Sequence, residues 1–211
     1  MKITDYEVRF SRAVNKRTGK KISKELISKE RMRIKKALSL ANINEDSKVL
    51  LLGVGTGVQL DECKKITRFV SAVDLNARSK EIKKFDLNSG PLPYRNNSFD
   101  IVIGLEVLEH LFYPNFILKE VDRVLNSNGQ AILSLPNEYT LINKAKFFLN
   151  KPIEEHGFDA FGHHFIVNEK NAIEFIRRRF HIEKKIKVRN SMNPFRNSGE
   201  SIFFKCVKKD S

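Results

Sequence analysis

Tryptophan is absent from this 211-residue chain, and cysteine occurs only twice. Cys63 and Cys206 form no CxxC pair, and two thiols in a chain this long predict a reducing, cytoplasmic setting rather than a disulfide scaffold. No apolar run approaches the ~18 residues of a membrane span, so no membrane partner is expected. The first sixteen residues, MKITDYEVRFSRAVNK, lack the apolar stretch of a secretory signal. Repeats and low-complexity tracts are missing too. What is present suits a soluble globular protein: 41% hydrophobic and 30% charged residues, in a length that fits one domain over 1–211.

Acidic residues are also in short supply. Lys plus Arg is 39 against 25 Asp plus Glu, a formal net charge of +14. Such a surplus attracts nucleic acid, anionic surfaces or acidic substrates. The basic residues are densest over 16–36 and 177–187 but are spread along the whole chain, as on a solvated surface. Charge alone therefore leaves RNA open as a partner without selecting it.

Apolar residues Leu26, Ile27, Ile34, Leu38 and Ala41 recur at helical spacing, which predicts an amphipathic helix over 22–41. Residues 1–44 form a helical extension ahead of the main sheet. Val49-Leu50-Leu51-Leu52 is a fully apolar run, the pattern of a parallel strand buried on both faces. Further strands are predicted at 69–73, 82–85, 100–105 and 131–135, the last cut off by Pro136. Helices are predicted over 58–66, 115–125 and, stunted, near 77–81. Asn126-Ser127-Asn128-Gly129 reads as a helix stop and turn. This alternation implies βαβ crossovers and a parallel sheet across 45–136. Residues 137–211 differ: helices at 139–149 and 169–179, the second capped by Asn168, then strands at 182–188 and 202–207 in an antiparallel hairpin. The sum is a Rossmann-like α/β three-layer sandwich of about seven strands, mostly parallel with an antiparallel terminal strand.

Gly53-Val54-Gly55-Thr56-Gly57 follows the first buried strand and opens a helix. Glycines there allow a sharp turn and close approach of a ligand to backbone N–H groups. Asp74, ending the next strand, is placed to accept hydrogen bonds from ribose hydroxyls. Together they favour a nucleoside ligand. A dinucleotide fingerprint would be G-x-G-x-x-G, and here the third glycine comes one residue early.

The segment VLLLGVGTG at 49–57 resembles the first motif of class I S-adenosylmethionine-dependent methyltransferases. The likeness continues through Asp74, Phe85-Asp86-Leu87, Leu92-Pro93-Tyr94, Ser98 to Val102 and Leu125 to Pro136, in the family's order. It implies S-adenosylmethionine as cofactor and a sheet in the order 3-2-1-4-5-7-6. Gly53, Gly55 and Gly57 would hold the methionine end, Asp74 the ribose, and Asp86 with Leu87 the adenine. Glu106, at the end of the fourth strand, joins this cofactor-binding set. Leu51 stands where family members usually carry an acid, and too few residues separate Asp74 from Asp86 for the usual full helix.

Glu106-Val107-Leu108-Glu109-His110 follows the fourth strand, where ligands gather in such sheets. In a helical turn Glu106 would neighbour both Glu109 and His110, able to bind a divalent cation or to act as base. The ExxEH pattern resembles small-RNA 2′-O-methyltransferases and quinone O-methyltransferases. That resemblance implies a magnesium-like ion on Glu106, Glu109, His110 and His163, whereas similar EVLEHL segments elsewhere in the superfamily carry no metal. His110 or His163 is the candidate catalytic base. The aromatic and His-rich loop at 150–165 is expected to roof an acceptor pocket. The expected reaction is methylation of an oxygen on a small metabolite such as a quinone, phenol or sugar; RNA methylation and a catalytically silent binding partner are the alternatives. Oligomeric state is left open.

Overall fold

The computed structural model describes residues 24–77, 79–137, 139–149, 167–189 and 200–209. Its order is α1 (Lys24–Leu40), β1 (Val49–Leu52), α2 (Val58–Lys64), β2 (Val70–Asp74), β3 (Ile82–Lys84), β4 (Phe99–Leu105), a short 3-10 turn (Leu108–His110), α3 (Pro114–Val124), β5 (Leu125–Asn137), α4 (Leu141–Phe148), α5 (Glu169–Ile176), β6 (Phe180–Arg189) and β7 (Glu200–Lys208). The sheet runs β3-β2-β1-β4-β5-β7-β6. Pairs among β1 to β5 are parallel, and β7 is antiparallel to both neighbours. This is the three-layer Rossmann-like architecture expected from the sequence.

Strand alternation divides the core between two faces. Leu50 and Leu52 point to one face, packing with Ile117, Leu118 and Val121 of α3 and Ala172 and Ile176 of α5. Val49 and Leu51 point to the other, with Ile34, Ala37 and Leu40 of α1 and Leu60 and Cys63 of α2. All four β1 side chains are fully buried, as a strand in the middle of a covered parallel sheet requires. Each such aliphatic chain contributes about 1.5–3 kcal/mol relative to leaving it exposed.

Several expectations need correction. The buried stripe of α1 is Ile34, Ala37 and Leu40, whereas Leu26 is exposed. The described residues at 77 and 79–81 are not helical; bends and turns at 79–81 lead into β3. The turn expected at 126–129 is a bulge inside β5. Leu125 pairs with Phe99, and pairing resumes only at Gln130 with Ile101. Pro136 does not end that strand either, since the ladder to β7 continues through Pro136–Ser201 to Asn137–Glu200. Asn168 does cap α5, its side chain accepting from the Asn171 N–H at 2.9 Å.

Beneath the ligand edge, Glu120 and Arg123 of α3 clamp the chain between β3 and β4. Glu120 accepts from the Leu92 N–H at 2.7 Å, and Arg123 donates to the Leu92, Tyr94 and Asn96 oxygens. Hydrogen bonding from Arg123 holds the Glu120 carboxyl below its usual range, so the clamp stays ionised at neutral pH.

Both cysteines are free and wholly buried. Burial pushes the Cys63 thiol up to about 12 and raises Cys206 as well. At pH 8 only about one Cys63 in ten thousand is then thiolate, the reactive form. Ellman's reagent should therefore label neither thiol in the native protein and both in denaturing urea; prompt native labelling would place a cysteine at the surface.

Candidate functional site

The C-terminal ends of β1, β2 and β4 meet where the strand order reverses, the place at which open α/β sheets hold ligands. At the end of β1 the backbone must turn out of the sheet and into α2. Gly53, Gly55 and Gly57 do this with φ of 67°, 55° and 92°, a left-handed region that side chains resist. The Gly53 N–H donates to Val73 O and the Gly57 N–H to Val54 O, each at 2.9 Å. A Cβ at Gly53 would meet Val107 Cγ2 at 2.9 Å; one at Gly55 would meet Glu30 Oε1 at 2.8 Å. Around Gly57 no atom of the described residues lies within 4 Å of that position.

Asp74 closes the other side of this space. Its carboxylate accepts from the Gly55 N–H at 3.0 Å and the Asn76 N–H at 2.7 Å, which ties the end of β2 to the glycine loop. It remains half-buried. Asp86 is half-buried after β3, where its side chain accepts from the Asn88 N–H at 2.8 Å. Leu87 differs from the other candidates: it is 6% exposed and packs in the core, so only its backbone could meet a ligand. An open glycine turn, a carboxylate at the end of β2 and an Asp-Leu backbone after β3 fit an adenosyl ligand.

Glu106 takes an unexpected conformation. Its φ is 52°, so it lies outside any helical turn shared with Glu109 and His110. Ser134 holds it there: the Glu106 N–H donates to Ser134 Oγ at 3.1 Å, and Ser134 Oγ donates to Glu106 Oε1 at 2.8 Å. On its far side Arg33 Nη2 stands 3.4 Å from Glu106 Oε2. Left-handed non-glycine backbone stores strain that long-range contacts must over-determine, and Ser134 and Arg33 supply them.

The ExxEH residues consequently separate. Glu106 faces α1, Glu109 is 1% exposed, and His110 is half-exposed with Nε2 3.9 Å from Glu109 Oε1. Among the described residues no three His, Cys, Asp or Glu side chains group as metal ligands. His163, the fourth expected ligand and the second candidate base, lies outside the described residues, as does the loop expected to roof the pocket.

Beside Glu109 a cavity of about 640 Å³ opens between the β4–α3 connection and α5. Leu108, Phe112, Tyr113, Phe116, Leu135 and Phe175 give it apolar walls, with Glu109, Glu174 and Arg178 at polar points. Its size is that of a small-molecule site. Among the described residues, no helix is long and apolar enough to cross a membrane.

Sequence reasoning missed Glu30, Arg33 and Ser134. The Thr56 N–H donates to Glu30 Oε2 at 3.3 Å, and the Thr56 hydroxyl also bonds to it. Glu30 and Arg33 are three residues apart on α1, a spacing that sets both on one face. That spacing was visible; the long-range partners were not.

The chain is similar to several known proteins. Residues 50–133 match the family model of a methyltransferase domain. An uncharacterized protein of Methanocaldococcus jannaschii is 27% identical over 183 residues, covering 78% of this chain and 80% of its own. A "probable S-adenosylmethionine-dependent methyltransferase" of Mycobacterium tuberculosis is 31% identical over 100 residues, 44% of this chain and 36% of that protein. Among solved structures, 1,6-didemethyltoxoflavin-N1-methyltransferase of Burkholderia thailandensis, with bound 1,6-didemethyltoxoflavin and S-adenosylhomocysteine, superposes with a TM-score of 0.71 at 15% identity. That match covers 98% of this chain and 89% of the other.

Calorimetry with S-adenosylhomocysteine should give saturable binding, weakened by about 1–3 kcal/mol in Asp74→Ala, the usual loss for hydrogen bonds to a charged group. An unchanged affinity in that variant would remove Asp74 from the ligand's contacts.

Proposed function

We propose that the chain is an S-adenosylmethionine-dependent methyltransferase of the class I superfamily, a reading supported by the methyltransferase-domain match over residues 50–133, and that it methylates an oxygen of a small metabolite of the quinone, phenol or sugar kind. The observation that carries this reading is the apolar cavity of about 640 Å³ beyond the ends of β4 and β5. An aromatic or aliphatic ring fits such walls; a phosphate backbone would call for a basic groove. The Burkholderia thailandensis neighbour, with 1,6-didemethyltoxoflavin and S-adenosylhomocysteine bound, has the same architecture.

S-adenosylmethionine, when bound, supplies an electrophilic methyl on a sulfonium. The chain's own part is to hold and align. Gly53, Gly55 and Gly57 receive the methionine end, Asp74 the ribose hydroxyls, Asp86 and the Leu87 backbone the adenine, and Glu106 borders the same edge. Alignment of nucleophile and methyl supplies much of the rate, because it removes the entropy of bringing two reactants together. His110 accepts the acceptor's hydroxyl proton at Nε2, with the neighbouring Glu109 carboxylate steadying the imidazolium that forms. His163 is the second candidate for that proton. Residues 45–136 act as the cofactor half and 137–211 as the acceptor half.

A methyl-transfer screen of phenols, quinols and sugars, run beside mixed tRNA and rRNA, tests this. One hydroxylated small molecule should turn over, and His110→Ala should lower kcat by about 10²–10⁴-fold while S-adenosylhomocysteine still binds. Methylated RNA, RNA affinity falling steeply with salt and an inert small-molecule panel would overturn it. Cofactor binding without transfer to any acceptor would instead favour a silent binding partner.

A further inference from the structure

The glycine loop receives a side chain from an unexpected direction. Leu51, the β1 residue nearest the loop on the α1 face, is wholly buried against Ile34 and Ala37 and gives the site no charge. Instead α1 lies over the loop and lowers Glu30 onto it. The Glu30 carboxylate accepts from Thr56 and rests against the bare Cα of Gly55, where any side chain would displace it. One turn along the same face, Arg33 reaches the Glu106 carboxylate at the end of β4. Asp74, the other acid on the loop, is held by Gly55 and Asn76 on the β2 side. Helix α1 thus brings a carboxylate to the glycine loop and, one turn along the same face, a guanidinium to the end of β4.

That pairing complements one part of the cofactor. An α-amino acid group is a zwitterion, with an ammonium of three donors and a carboxylate that accepts two parallel bonds from a guanidinium. We infer that Glu30 and Arg33 hold the amino-acid end of S-adenosylmethionine, Glu30 taking the ammonium and Arg33 the carboxylate. The inference rests on the cofactor reading above and adds to it that the methionine subsite is built by α1 rather than by β1. Both groups are only partly exposed, so their hydrogen bonds to a charged ligand are less screened than surface pairs.

The test compares two ligands on the full chain by calorimetry. S-adenosylhomocysteine carries the amino-acid end; 5′-methylthioadenosine keeps the adenosine and the thioether but lacks it. Glu30→Gln and Arg33→Gln should each weaken S-adenosylhomocysteine by about tenfold or more, as for a lost charge-assisted hydrogen bond. Both should leave 5′-methylthioadenosine affinity unchanged, which also shows that each variant is folded. Unchanged affinity for S-adenosylhomocysteine overturns the assignment. Equal weakening of both ligands overturns it too, since the residues would then support the loop's shape alone. Wild-type protein that binds neither ligand would overturn the cofactor reading itself, a result distinct from both.

Discussion

The ligand edge depends on burial of β1 on both faces. Four consecutive fully buried side chains fix this strand between β2 and β4, at the point where the strand order reverses. The chain leaving β1 therefore has to turn within a few residues, toward α2 and away from the sheet. Only a backbone free of side chains turns that tightly, which is why glycine occupies three left-handed positions there. Asp74 follows from the same constraint. Parallel pairing sets Leu51 and Leu52 beside Ala72 and Val73, so the next residue of β2 meets the loop as it opens.

Around this frame, charges from distant segments are tied together. Helix α1 contributes Glu30 and Arg33, the end of β4 contributes Glu106, and β5 contributes Ser134. Glu106 is the pivot, held in a strained backbone by a serine 28 residues on and an arginine from α1. Movement of α1 would consequently be felt both at the glycine loop and at the end of β4. In the function proposed above, the cofactor and acceptor parts of the site would meet at the segment running from Glu106 to His110.

What the sequence revealed was whatever local spacing encodes. The apolar run at 49–52, the glycines after it, Asp74 one βα unit later and the Asn168 cap are all near-neighbour patterns, and each lies where expected. The order of the sheet came from the family resemblance, and the structure has that order. The failures share one physical cause, contacts between residues far apart in the chain. A helical turn through Glu106 was a fair local reading of ExxEH, yet the hydrogen bonds to Ser134 impose a left-handed φ instead. Asn126 to Gly129 carry turn chemistry, but pairing to β4 on either side absorbs them as a bulge. Pro136 should end a strand, and the antiparallel ladder to β7 carries it through. Glu30 reaches Thr56, 26 residues on, a contact that no local spacing encodes.

The central claim is that the edge formed by the glycine loop, Asp74 and Asp86 holds the adenosyl ligand. Amide hydrogen exchange, followed with and without S-adenosylhomocysteine, tests it without relying on turnover or on any variant. Exchange should slow at residues 53–57, 74–76 and 85–88, while the amides of β6 and β7 keep their rates. Unchanged exchange across 53–57 with saturating ligand, or protection centred on β6 and β7, would contradict the account.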